Sequence, residues 1–160
     1  MTRRLAFWLP ALLGLAADLL SKHLVFQWLA GVAGHRQPLL GRWLVFSIQE
    51  NRGGPFGILQ GRGYVFVALS GVALVAVVWM LRTARRDQLL LRVALGFVVA
   101  GALGNVADRL FLGHVRDFIY IEAINYPAFN VADVCVCLAA GLLVLEIVRQ
   151  ELRERKSRRK

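Results

Sequence analysis

Hydrophobic residues in this sequence are gathered into four long segments, and polar residues are concentrated in the connections between them. The segment at residues 63–81, GYVFVALSGVALVAVVWML, contains no charged residue. A helix of that length, rising about 1.5 Å per residue, nearly spans the hydrocarbon core of a bilayer. Comparable segments lie at about 5–27, 89–111 and 131–148. The pattern predicts a mainly α-helical integral membrane protein with four transmembrane helices.

Composition and the absence of linkers favour a single domain. The chain has 160 residues, of which 58% are hydrophobic, and a mean hydropathy of +0.56. No Pro- or Ser-rich linker divides it, so we expect one polytopic domain over residues 1–160. The N-terminal segment up to Asp18 also resembles a cleavable secretory signal. Apolar residues resume at Leu24, however, which makes the segment long enough to remain as a span.

Basic residues fall on one side of this four-span arrangement. Arg3 and Arg4 precede the first span, and three arginines lie in the connection at residues 82–88. A basic tail at residues 149–160 follows the fourth span. By the positive-inside rule, both termini are expected in the cytoplasm. The net charge of +10 lacks an accompanying nucleic-acid-binding motif, so we expect the tail to lie near anionic lipid headgroups and not to bind nucleic acid.

The two remaining connections, residues 28–62 and 112–130, then face the outer side. The first contains β-branched and aromatic residues that are typical of one or two strands. These are Trp43, Val45, Phe46 and Ile48. The sequence NRGGPFG at residues 51–57 predicts a turn after them. We therefore expect a small extracytoplasmic β-sheet or cradle between helices 1 and 2 that contacts lipid or an acylated substrate, with a folded loop that binds nothing as the alternative.

Ionisable residues within apolar spans are costly, which makes each one a candidate for a functional role. Asp18 and Lys22 are four residues apart on one helical face and favour a structural ion pair. Asn105, Asp108 and Arg109 share a face at the outer end of the third span. Arg109 is expected either to pair with Asp108 or an outer-loop group, or to bind a substrate carbonyl or headgroup.

Asp117 and Asp133 have no cation at helical spacing, and the return of the chain from the third to the fourth span can bring them together. Asn130, three residues before Asp133, is placed to orient its carboxyl group. Two close carboxyls in a medium of reduced polarity share one proton, so that one activates water while the other polarises a carbonyl. Aspartic protease chemistry, a proton relay and structural hydrogen bonding all remain open on spacing alone.

Other kinds of site are not favoured. The histidines are scattered, without HExxH or comparable ligand spacing, and no Gly-rich phosphate loop opens a helix. Cys135 and Cys137 are two residues apart on a helix, a spacing that fits neither a disulfide nor a zinc site. The sequence therefore predicts no metal and no cofactor.

Five ordered motifs resemble those of the bacterial lipoprotein signal peptidase (signal peptidase II) family over nearly the whole chain. They are D-x-x-S-K at 18–22, N-x-G-x-x-F-G at 51–57, G-N-x-x-D-R at 104–109, V-x-D-F at 115–118 and F-N-x-A-D at 129–133. The resemblance implies a membrane-embedded aspartic endopeptidase of the bacterial cytoplasmic (inner) membrane. Such an enzyme removes the signal peptide from prolipoproteins by cutting just before a cysteine that carries diacylglycerol. Sensitivity to the cyclic peptide globomycin is implied as well.

The resemblance also implies roles for individual residues. It places the catalytic pair on Asp117 and Asp133. It assigns Asn51, Asn105, Arg109 and Asn130 to holding the substrate backbone or ordering the carboxyls. It assigns Asp18, Lys22 and Asp108 to support of the site. One departure is Gly54-Pro55, where the family usually has small residues such as Ala-Ala, and this leaves the shape of the 51–57 loop open.

Two other classes of function remain as alternatives. A small proton-coupled transporter or channel would use the same acids as a relay, but it would favour acids near the bilayer midplane and a continuous polar path. A purely structural scaffold would explain the spans but not the repeated Asn–Asp groupings. We expect a monomer whose partners are a lipid-modified prolipoprotein and the surrounding lipids.

Overall fold

The computed structural model of the protein describes residues 2–158, without the side chain of Arg158. The two C-terminal residues of the predicted basic tail, Arg159 and Lys160, lie outside the described residues, as does Met1.

Four long helices form the body of the molecule, and each is long and apolar enough to cross a membrane. Helix α1 is Arg3–Ala30, α2 is Gly63–Thr83, α3 is Leu89–Leu112 and α4 is Val131–Arg158. The predicted four-span, mainly helical class is confirmed. Helix α1 runs unbroken past the position where a signal would be cleaved.

The largest difference in boundaries lies in α4, which continues well past the predicted end of the span at residue 148. Residues 149–158 belong to the same helix, although their charge excludes them from the hydrocarbon. Glu, Arg and Lys are strong helix formers. The pair Glu151–Arg155, at 3.1 Å and four residues apart, adds local support.

A four-stranded antiparallel sheet with strand order β1-β2-β3-β4 covers one end of the bundle. Its strands are β1 (Arg36–Leu40), β2 (Leu44–Asn51), β3 (Val115–Ile121) and β4 (Tyr126–Phe129). The sequence predicted only the strands between helices 1 and 2, and placed Trp43 in them, whereas Trp43 lies in the β1–β2 turn. Strands β3 and β4 come from the connection between α3 and α4. Asp117 therefore stands on a strand, opposite Gln49 of β2.

Helix α3 lies at the centre of the bundle and packs against the other three helices. Glycines allow this close approach. A Cβ atom at Gly96 would lie 2.4 Å from the Phe7 carbonyl oxygen of α1. One at Gly101 would lie 2.6 Å from the Ala132 carbonyl oxygen of α4. Small residues serve helix packing in membranes in this way, because the lipid supplies no hydrophobic driving force between helices.

Gly104 packs against the buried carboxylate of Asp18. A Cβ atom there would lie 2.3 Å from Asp18 Oδ2 and 3.2 Å from the Ala132 side chain. By contrast, the Cβ of an alanine at Gly71 of α2 would meet no atom within 4 Å.

We expect Gly104→Ala to destabilise the protein by about 1–3 kcal/mol, because the new methyl group must displace the Asp18 carboxylate or separate the helices. Gly71→Ala, the matched control, should be neutral or stabilising by up to about 1 kcal/mol through helix propensity. Thermal unfolding of both purified variants in detergent measures the difference. Equal melting temperatures would show that the α1–α3 contact at Gly104 is not tight.

Candidate active site

The two aspartates singled out by the sequence lie at the end of the bundle that the sheet covers. Asp117 projects from β3 and is only 3% exposed. Asp133 lies in the first turn of α4 and is half-buried. Both line a cavity of about 250 Å³ to which Asn51, Asn105 and Arg109 also contribute. Strand pairing of β3 with β2 and the return into α4 therefore bring the two acids into one space.

Asn130 and Asp133 form a reciprocal cap at the start of α4. The Asp133 backbone N–H donates to Asn130 Oδ1 at 3.0 Å, and the Asn130 backbone N–H donates to Asp133 Oδ2 at 3.1 Å. This is the geometry of a capping box, which satisfies N–H groups that have no partner within the helix. The cap fixes the Asp133 carboxylate at the positive end of the α4 dipole.

The side-chain amide of Asn130 also joins Asp133 to Asp117. Its Nδ2 donates to Asp117 Oδ1 at 2.6 Å and to Asn105 Oδ1 at 3.1 Å. Asn130 is fully buried, so its hydrogen bonds are not exchanged with water. One buried asparagine thus holds both carboxyl groups in place.

Lys22 and Asn130 together determine which way the amide of Asn105 faces. The Lys22 ammonium group is fully buried and donates to Asn105 Oδ1 at 3.1 Å and to Asp18 Oδ2 at 2.7 Å. An ammonium group can only donate, so the oxygen of Asn105 must face Lys22. Its Nδ2 is then left to donate to Asp133 Oδ1, at 2.9 Å. The Asp18–Lys22 pair is therefore continuous with the site and not only a neutralised pair in α1.

Asp108 and Arg116 fasten β3 to α3. Asp108 accepts from Arg116 Nη2 at 2.7 Å, Nε at 3.1 Å and backbone N–H at 3.0 Å, and it lies 3.3 Å from the Lys22 ammonium. Arg116 immediately precedes Asp117, so this contact sets the position of the strand at the site. Sequence reasoning did not identify the pair, because the two residues lie on different elements and have no fixed spacing.

Arg109 does not pair with Asp108 and contacts the outer loop. Its Nη2 donates to the Gly53 carbonyl oxygen at 2.9 Å, and its guanidinium carbon lies 4.9 Å from the centre of the Phe66 ring. Its buried Nε has no hydrogen-bond partner among the described residues. Arg109 also lines the cavity that the two acids share.

Asn51 connects this loop to Asp117. Its Nδ2 donates to Asp117 Oδ2 at 3.0 Å, and its Oδ1 accepts from the Gly53 backbone N–H at 2.9 Å. The second contact closes an Asx-type turn at the start of the loop. Asn51, Asn105 and Asn130 therefore all direct an amide at one of the two acids or at each other.

The Gly54-Pro55 departure is accommodated by the loop. A Cβ atom at Gly54 would lie 2.5 Å from the Phe66 ring, so the usual alanine would not fit here without moving that ring. Pro55 opens a short 3₁₀ turn, Pro55–Gly57, where a backbone N–H is not needed. The loop keeps its contact with Arg109 through Gly53.

The electrostatic environment of Asp117 favours the protonated form of its carboxyl group. Burial raises the pKa of the Asp117 carboxyl to about 7, and the negative charge of Asp133 adds to this effect. The amides of Asn51 and Asn130 act in the opposite direction but are the weaker influence. Asp117 therefore holds a proton over a pH range in which an ordinary aspartate is ionised.

An apolar groove of about 660 Å³ runs along α4 and reaches Asp133. Its lining includes Ile121, Phe129, Val134, Cys137, Leu138 and Leu145.

Cys135 is buried, unlike Cys137, and both cysteines are free. Within residues 2–158, no cluster of three or more His, Cys, Asp or Glu side chains is placed to hold a metal ion. Two carboxyls that line one cavity, one of them with a pKa raised to about 7, beside an apolar groove suit hydrolysis by general acid–base catalysis.

Comparison with known proteins gives concordant matches. A family model described as signal peptidase (SPase) II matches residues 10–149. The chain is 32% identical over 154 residues to the lipoprotein signal peptidase of Halalkalibacterium halodurans, covering 95% of this chain and 97% of that protein. It is 34% identical over 152 residues to the lipoprotein signal peptidase of Shouchella clausii, covering 95% and 99%.

The chain is also similar to a solved structure. It is described as a bacterial membrane enzyme structure determined by the in meso method at 2.3 Å resolution, and it superposes with a TM-score of 0.79 at 26% identity. The superposition covers 89% of this chain and 87% of that one. With a family model that matches residues 10–149 and relatives that are similar along almost their whole length, this chain belongs to the signal peptidase II family.

Proposed function

We propose that this membrane peptidase removes signal peptides from diacylglyceryl-modified bacterial prolipoproteins, cutting just before the lipidated cysteine, with Asp117 and Asp133 as its catalytic pair. The observation that carries the proposal is the placement of both carboxyls around Asn130, at the end of an apolar groove. The relatives are named lipoprotein signal peptidases, which favours this reaction over a transporter that uses the same acids.

The proposed mechanism assigns different states to the two acids. Asp133 is the ionised partner: it is the more exposed of the two, and it accepts hydrogen bonds from Asn105 and from the capped helix start. It takes a proton from the attacking water. Asp117 carries the proton that polarises the scissile carbonyl, and it gives that proton to the amine leaving group as the tetrahedral intermediate collapses.

The proposed substrate contacts involve Arg109 and the apolar groove along α4. The Arg109 guanidinium lines the cavity and donates to a backbone carbonyl of the substrate, while the three asparagines order the carboxyls. The apolar groove along α4 accepts acyl chains or the hydrophobic signal segment, which keeps the lipidated cysteine at the level of Asp133. Globomycin, a cyclic peptide, would compete for the same cavity.

The proposed location is the bacterial cytoplasmic membrane, with both termini in the cytoplasm and the active site at the outer face. The basic residues at the end of the bundle opposite Asp133 support this orientation. The proposed working unit is a monomer surrounded by lipid, because both acids and all three asparagines come from one chain. Nucleic acid has no part in the reaction.

Lys22 is proposed as a positioning residue for Asp133. It acts through Asn105: without the ammonium group the Asn105 oxygen keeps only the donor from Asn130, so the amide is held less firmly and can turn its oxygen to Asp133. Two oxygens facing each other would repel, and Asp133 would lose a donor.

We expect Asp117→Asn and Asp133→Asn each to abolish cleavage of a diacylglyceryl-modified precursor by the purified enzyme, because an amide neither accepts nor supplies the proton. Asp87→Asn, a control at the far end of the bundle where the side chain is 62% exposed, should retain parental activity. Melting temperatures establish that all three variants fold. Normal cleavage by either active-site variant would refute the pair.

We expect kcat/KM to fall as pH rises through about 7, since that is where Asp117 loses its proton. The sign follows from the raised pKa: the acid form predominates below about 7 and is lost above it. The decline should approach about tenfold per pH unit. The measurement is the initial rate at low substrate between pH 5 and 9. A value of kcat/KM that stays level or increases from pH 7 to 9 would exclude Asp117 as the proton donor.

We expect Lys22→Met, made together with Asp18→Asn to avoid an unpaired buried acid, to lower kcat about tenfold or more with little change in KM. The reason is that substrate contacts remain while Asp133 loses its fixed donor. Asp18→Asn alone, which keeps the Lys22–Asn105 contact, is the matched control and should retain most of kcat. A rise in KM with kcat unchanged in the double variant would contradict the positioning role.

A further inference from the structure

A second group of buried polar atoms lies at the other end of the bundle, about 20 Å along α4 from Asp133. Glu146 is 4% exposed, and one of its carboxylate oxygens accepts from Gln150 Nε2 at 2.9 Å. The other oxygen, Oε2, has no hydrogen-bond partner among the described residues. An unpaired buried oxygen is costly, so this position calls for a donor. No step of the proposed peptidase mechanism uses Glu146.

A small cavity of about 90 Å³ adjoins this carboxylate. It lies between α4 and the connection from α2 to α3, and its charged lining consists of Arg85, Asp87, Glu146, Arg153 and Glu154. Arg153 is already paired with Asp87 at 2.8 Å. That pair leaves two acids, Glu146 and Glu154, and one arginine, Arg85, in the charged lining. The cavity therefore favours a cationic group that can donate hydrogen bonds.

An apolar groove of about 390 Å³ begins next to this cavity, and Arg153 lines both. Its apolar lining is Leu90, Leu145, Val148 and Leu152, and its basic lining is Arg149, Arg153 and Lys156. Neither Arg149 nor Lys156 forms an ion pair with a carboxylate among residues 2–158. The groove therefore combines an apolar floor with two free cations at its edge.

We propose that the groove and the cavity together bind one phospholipid that carries a primary amine. An acyl chain lies in the groove, the phosphate lies between Arg149 and Lys156, and the ammonium group donates to Glu146 Oε2. Charge complementarity selects this lipid among the common classes. A phosphatidylglycerol headgroup leaves Glu146 without a cation, and the quaternary ammonium of phosphatidylcholine has no N–H to donate.

The test is a titration of the purified full-length protein in detergent with dioctanoyl phosphatidylethanolamine, phosphatidylcholine and phosphatidylglycerol, followed by calorimetry. We expect phosphatidylethanolamine to bind about tenfold or more tightly than either of the others, as a hydrogen-bonded charge pair would give. Glycerophosphoethanolamine, which has the headgroup without chains, should bind at least about tenfold more weakly than the lipid.

Glu146→Gln should abolish the preference for phosphatidylethanolamine over phosphatidylcholine. This variant removes a buried acid that has no cationic partner among the described residues, so it is expected to melt at the parental temperature or above. Glu151→Gln is the matched control, because Glu151 lies on the same helix, is paired with Arg155 and lines neither cavity. It should keep the preference.

Arg149→Ser with Lys156→Ser should weaken binding of all three lipids, through loss of the phosphate contacts. The control that removes the same charge is Arg86→Ser with Arg155→Ser, at residues that line neither the groove nor the cavity. Its lipid affinities should match those of the parent.

Equal affinity of the parent for phosphatidylethanolamine and phosphatidylcholine would overturn the proposal. So would a preference that survives Glu146→Gln, or binding of the chain-free headgroup as tight as that of the lipid. Tightest binding of phosphatidylglycerol would show a general basic surface that attracts anionic lipids instead of this site. Cleavage of prolipoprotein by Glu146→Gln should remain parental, so failure of the lipid site leaves the peptidase proposal intact.

Discussion

The buried side-chain amide of Asn130 is the contact on which the geometry of the site depends. The side-chain oxygen and the backbone N–H of Asn130 cap α4 and hold Asp133. The side-chain nitrogen donates to Asp117 on β3. The sheet and the fourth helix are thus joined at a single residue that has no access to water. An amide suits this position because it can donate and accept at once, whereas a carboxylate would only accept.

Next to this amide, the buried acids outside the proposed catalytic pair each have a partner of opposite charge. Asp18 accepts from Lys22 and from the Ala132 backbone N–H, at 2.7 and 2.8 Å, and Asp108 is paired with Arg116. Such groups are expensive to bury in a medium of low polarity and are tolerated when fully hydrogen-bonded. Glycines in α3 make the arrangement possible, because they let α1 and α4 approach closely enough for a carboxylate to reach across.

Much of this arrangement was predictable from the sequence because it follows local rules. Apolar length predicted the four spans, and helical spacing predicted that Asp18 faces Lys22 and that Asn130 orients Asp133. Contacts between distant elements were not predictable in the same way. Nothing in the spacing of Asp108 and Arg116 shows that they meet, because their separation depends on where β3 pairs with β2. Strands β3 and β4 were missed because their segment was read as a short loop between spans.

The hydrogen bond between the Asp18 carboxylate and the Ala132 backbone N–H joins the first span to the start of the last one. These two segments are separated by more than a hundred residues of chain, so α1 is synthesised well before α4. A nascent protein that has not yet released its final helix lacks one acid, the cap that orients it and the partner that closes the bundle. If the proposed pair carries out the cleavage, a chain becomes active only after α4 has inserted beside α1.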